Sequence, residues 1–116
     1  MSFDMWAYHP ESHHTPGMVL IGYTVVATDG DVGIVHEDIE ELGSTYVVVD
    51  TDPWVFNGPV LLPAGTIMRV DRHAKTILVN RTRDEIRHAP AYEPKRHRGD
   101  SQYRDNVADY YRPFYT

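Results

Sequence analysis

The chain has 116 residues, a formal net charge of −6 and no cysteine, with 41% hydrophobic and 24% charged residues. That length holds one domain around one modest core, and the composition is that of a globular rather than a disordered chain. The missing cysteine excludes disulfides, thiol catalysis and cysteine-ligated zinc, and in so small a domain it points to a reducing, cytoplasmic setting.

Residues 1–17 carry Asp4, Glu11, three histidines, Pro10, Pro16 and Gly17. They lack the basic and apolar stretches of a targeting leader and read as a flexible N-terminal arm. Residues 18–93 read as the folded domain, and 94–116 as a linker and an aromatic helical tail. The longest apolar runs, such as Val47–Val49, are far too short to cross a bilayer, so no membrane insertion is expected. Residues 19–93 hold six basic against twelve acidic side chains. An acidic body disfavours nucleic acid as the partner, because phosphate-backbone binding needs a basic surface.

In chain order, Leu20–Ala27 and Val32–Glu37 are rich in β-branched residues and are separated by Thr28-Asp29-Gly30-Asp31, a hairpin signal centred on Asp-Gly. A third strand is predicted near Thr45–Asp50. Residues 53–59 form a turn-rich connection. Short strands follow at Val60–Leu62, Ile67–Asp71 and Thr76–Val79, the last two joined by a tight turn over Arg72–Lys75. Connections this short leave no room for crossover helices, so the expectation is all-β: a small antiparallel barrel of six strands. Thr82-Arg83-Asp84-Glu85 is a capping box that starts a brief helix, stopped by Pro90. Tyr103, Val107, Tyr110 and Tyr111 fall at helical spacing, with Asp100 or Ser101 as the cap.

The segment from about Leu20 to Tyr92 resembles the PRC-barrel family, named for a domain of the photosynthetic reaction-centre H subunit. The residues that carry this are Gly22-Tyr23-Thr24-Val25-Val26-Ala27-Thr28-Asp29-Gly30-Asp31-Val32-Gly33, then Val47-Val48-Val49-Asp50-Thr51 ahead of Trp54-Val55-Phe56. Val60-Leu61-Leu62-Pro63, Val70-Asp71, Thr82-Arg83-Asp84-Glu85-Ile86 and Ala89-Pro90 continue it. As a whole the chain looks like the small stand-alone PRC-barrel proteins of bacteria. The resemblance implies a PRC-type barrel that acts in docking or assembly and has no general active site. The chain has neither the membrane helix of the reaction-centre subunit nor the N-terminal domain of the related ribosome-maturation factor.

Bland readings outweigh chemical ones at most polar clusters. His9, His13 and His14 are the most metal-like group, but Pro10 and Pro16 interrupt any helix and no cysteine completes a site. Asp29 and Asp31 suit a hairpin turn, and Asp50 and Asp52 lack further oxygen ligands at calcium-loop spacing. No nucleophile motif or phosphate loop is present. The expectation is therefore a non-enzymatic protein with no cofactor and no metal. Val25–Val26 and Val48–Val49 make strands apolar on both faces, and such strands need cover from a helix or a second subunit. Trp54, Phe56, Tyr103, Tyr110 and Tyr111 are the candidate partner-binding residues, because aromatics anchor interfaces that are partly wet. A homodimer, or a higher homo-oligomer, that presents a surface to an unidentified protein partner is the favoured reading. A small-ligand or metal-binding regulatory module, or a ribosome-associated factor, is the alternative.

Overall fold

The computed structural model describes residues 3–51, 56 and 58–115. Its strands are β1 (Thr24–Ala27), β2 (Gly30–Ile39), β3 (Tyr46–Thr51), β4 (Val60–Pro63), β5 (Ile67–Asp71) and β6 (Thr76–Val79). They form one sheet in the order β4-β3-β2-β1-β6-β5. Three short helices follow: α1 (Arg83–Arg87), α2 (Pro94–His97) and α3 (Ser101–Tyr111).

The sheet is strongly curled. Its two edge strands, β4 and β5, are joined only by Ala64–Thr66, a single 3-10 turn. Across a flat six-stranded sheet the edges would lie about 24 Å apart. Four residue steps span at most about 14 Å, so the edges must bend toward each other. They do not pair, and the result is an open half-barrel.

The expected all-antiparallel pairing needs correction, because the sheet is mixed. β1 pairs with β6 in parallel, Val25 opposite Ile77 and Val26 opposite Leu78. Every other neighbouring pair is antiparallel. The reason lies in the short link: the chain keeps its direction from β4 into β5 instead of reversing, so β6 returns alongside β1 with the same sense. The whole of β2–β5 supplies the long connection that a parallel pair requires.

Local signals explain the elements. Asp71 Oδ1 accepts the His73 and Ala74 amides, both at 3.0 Å, and builds the turn between β5 and β6. In the capping box at α1, the Thr82 hydroxyl accepts the Glu85 amide and the Glu85 carboxylate accepts the Thr82 amide. Asp100 caps α3 by accepting the Gln102 and Tyr103 amides. Gly33 is needed for packing: a Cβ there would sit 2.1 Å from the Asp50 carbonyl oxygen on β3.

One sheet face forms the core, with Val35 opposite Val49 and Val47 opposite Leu62. On the other face Tyr46, Val48 and Leu61 are buried as well, and their cover comes from the same chain. Leu61 shares a cavity lining with Ile86, Pro90 and Tyr92, and Val48 shares another with Pro94 and Arg98. Arg98 reaches Glu37 at 2.7 Å, and Trp6 meets Tyr46 edge-on, ring centroids 6.2 Å apart. Residues 3–17, the expected arm, lie against the body: the Gly65 amide donates to the Met5 carbonyl at 2.8 Å, and the Thr45 amide to that of Trp6 at 3.1 Å. Among the described residues, no helix is long and apolar enough to cross a membrane.

Candidate functional site

The tail aromatics singled out from sequence occupy the interior of their own chain. Tyr103 is buried between Tyr92 and a stacked His97, and its hydroxyl donates to the Pro90 carbonyl at 2.8 Å. Tyr111 is fully buried, and its hydroxyl has no hydrogen-bond partner among the described residues; burial pushes its phenol well above the usual range. Tyr110 is half-buried and donates to the Glu85 carbonyl at 2.5 Å. Phe56 is buried beside Leu61 and Ile86. Trp54 lies outside the described residues.

The exposed apolar surface is elsewhere. On the outward face of β2, β1, β6 and β5, strand register sets Asp31, Val26, Leu78 and Arg69 side by side across the sheet. Ile34 stands in the adjacent row, between Thr24 and Asp50. Ile34 is 52% exposed, Leu78 40% and neighbouring Met68 48%. The row therefore runs from acid through two aliphatic side chains to base.

The three N-terminal histidines diverge. His9 Nε2 hydrogen-bonds the Gly65 carbonyl at 2.9 Å. His14, its side chain only 5% exposed, stacks on Tyr8 with centroids 3.7 Å apart and stands 3.4 Å from Glu40. Burial pushes the His14 imidazole down, against the opposing pull of Glu40 and Asp38. Burial likewise raises Asp38, one of whose oxygens accepts the Leu20 amide while the other is unpartnered. His13 turns the other way, in a left-handed conformation, φ 68°. Among the described residues no three His, Asp or Glu side chains converge as a metal site requires. Asp29 holds α1, its carboxylate accepting the Arg83 amide at 2.8 Å; Asp52 lies outside the described residues.

Sequence reasoning missed a basic cleft. His13, Arg69, Val70, Asp71, Arg72 and His73 line an open cavity of about 440 Å³. The signal was available in composition: Arg69, Arg72 and Lys75 are three of the six basic residues in the acidic 19–93 segment. Only the fold brings His13 to them.

No protein-family model matches this chain, and no curated protein matches it either.

Proposed function

We propose that this chain is a non-enzymatic assembly module of the PRC-barrel type, which forms a homodimer in the bacterial cytoplasm and presents a surface to a protein partner. The observation that carries the reading is the row Asp31–Val26–Leu78–Arg69 on an uncovered sheet face. A two-fold axis parallel to the strands, between β1 and β6, would lay that row against itself. Val26 then meets Leu78 of the second copy, and Asp31 meets Arg69. Such a self-complementary patch is what an isologous interface requires. The resemblance of the segment from about Leu20 to Tyr92 to the PRC-barrel family supplies the docking role in this reading. The tail tyrosines contribute by building the fold that holds this face, rather than by crossing to a neighbour.

Light scattering after size exclusion tests the reading on the full chain. The expected result is a dimer near 100 μM protein, a concentration within reach of affinities on the order of micromolar. Leu78→Asp should weaken the dimer about tenfold or more, because it buries a charge in the centre of the patch. Asp31→Arg should weaken it too, and Asp31→Arg with Arg69→Asp should restore it. A monomeric wild-type chain, or a dimer indifferent to all three variants, refutes the interface.

A further inference from the structure

We infer that the cleft between the N-terminal segment and the β5–β6 hairpin is a binding site for a phosphate group carried on a small molecule. The cleft shares Arg69 with the dimer row, so the site is tested at Arg72 and His13, which lie outside that row, and by a different readout. Three observations converge on it.

The first is basic charge. Arg69 and Arg72 line the cleft, and among the described residues neither guanidinium makes an ion pair or side-chain hydrogen bond. Arginines 81, 87, 96, 98 and 112 are all paired with carboxylates in the same structure. Among the described residues Arg83 and Arg104 also make no ion pair, but only Arg69 and Arg72 stand together in one cleft with two histidines. Asp71 also lines the cleft and interacts with Arg69, while its Oδ1 accepts the His73 and Ala74 amides and builds the turn, so the two arginines exceed the one carboxylate there.

The second is strain. Among the described residues only two non-glycine positions have positive φ, His13 at 68° and Lys75 at 54°. One lines the cleft and the other sits in the turn that forms its wall. Side chains held in this sparsely populated region cluster at sites where the backbone is shaped for a ligand.

The third is convergence. The 3-10 turn Pro10–Ser12 packs beside β5, with Ser12 buried and donating to the His9 carbonyl at 2.8 Å. That anchor carries His13 across to Arg69 and Arg72, far away in sequence. Guanidinium groups match phosphate oxygens in bidentate fashion, and the flanking imidazoles add donors. The volume exceeds that of a bare phosphate ion and leaves space for the group that bears it.

The test is an amide NMR titration of the full chain with inorganic phosphate, glycerol phosphate and a short DNA oligonucleotide, against potassium chloride at matched ionic strength. Saturable shifts confined to His13 and residues 69–75 are expected with phosphate and glycerol phosphate, with half-saturation on the order of 1 mM or below. Arg72→Gln lies outside the dimer row and should weaken this about tenfold, while Arg72→Lys should recover only part of it. His13→Ala should weaken it without moving distant resonances. Shifts no larger than those from chloride overturn the site, as does a response unaffected by Arg72→Gln. A response to the oligonucleotide alone also overturns it, in favour of a phosphodiester surface.

Discussion

The outward face of the sheet has two halves that the chain treats differently. Over β3 and β4 the outward residues Tyr46, Val48 and Leu61 are buried beneath residues 86–103 and Trp6. Over β1 and β6 the outward residues Thr24, Val26, Thr76 and Leu78 carry no such cover among the described residues and range from half-buried to exposed. The cause is in the side chains. β3 is apolar at four successive positions, so leaving either face wet would forfeit about 25 cal/mol for each Å² of apolar surface. On β1 and β6 every second outward residue is a threonine, whose methyl and hydroxyl suit a face that is wet in the monomer. The chain spends its C-terminal third where both faces are apolar, and leaves open the half that tolerates water.

The largest expected contrast sets the buried cover against the open row. Tyr111→Ala should cost about 3–5 kcal/mol in denaturant unfolding, the range for emptying a large buried aromatic site. Tyr111→Phe should be neutral or slightly stabilising, because the hydroxyl it removes is buried without a partner. Ile34→Ala, on the open face, should change monomer stability by no more than about 0.5 kcal/mol. Comparable losses from Tyr111→Ala and Ile34→Ala would dissolve the distinction between the two halves.

Local features of the fold could be read from sequence, and non-local ones could not. The β5–β6 hairpin has its expected bounds, because a four-residue polar turn between two short apolar runs is a local signal. The capping box at Thr82 and the Asp100 cap are also where their residue types put them. The first hairpin is close but shifted: the strands end at Ala27 and resume at Gly30, so Thr28 and Asp29 form the turn. The parallel β1–β6 pair escaped, because strand sense depends on how the chain bends at Ala64–Thr66, which no period or turn motif encodes. The outward apolar residues of β3 were recognised as needing cover, but not that residues 86–103 supply it. The basic cleft escaped for the same reason, since His13 and Arg69 meet only through the docking of residues 3–17.

That docking can be probed at Gly65. A Cβ there would lie 2.7 Å from the carbonyl oxygens of both Asp4 and Met5, so the N-terminal segment crosses directly over it. Gly65→Ala should cost about 1–3 kcal/mol through overpacking, less than emptying the Tyr111 site. Gly33→Ala, against the Asp50 carbonyl on β3, should cost at least as much because neither strand can retreat. The two differ in their second readout. Gly65→Ala should raise amide exchange in residues 4–14 and leave β3 protected, whereas Gly33→Ala should loosen β2 and β3 together. Unchanged exchange near Met5 in Gly65→Ala would mean that the segment is not held at that crossing.

The smallest effect expected is in the pH dependence of stability, and it isolates the Tyr8–His14 stack. Burial lowers the His14 imidazole in the folded chain, so the unfolded chain binds the proton more readily. Stability therefore rises with pH through the window just below the ordinary imidazole value of about 6.5, and is lost as pH falls into it. Asp38 works in the opposite sense, since its raised carboxyl takes up a proton more readily when folded. The two groups are coupled, because the His14 imidazole is one of the influences on Asp38. The difference between the wild-type chain and a His14→Gln variant therefore reports His14 together with its coupling to Asp38. Between pH 7.5 and 5.5 the wild-type chain should lose stability relative to His14→Gln in urea unfolding. A wild-type chain that gains on the variant as pH falls would show the carboxylates Asp38 and Glu40 outweighing burial. The stack would then be an ion-paired latch rather than a neutral one.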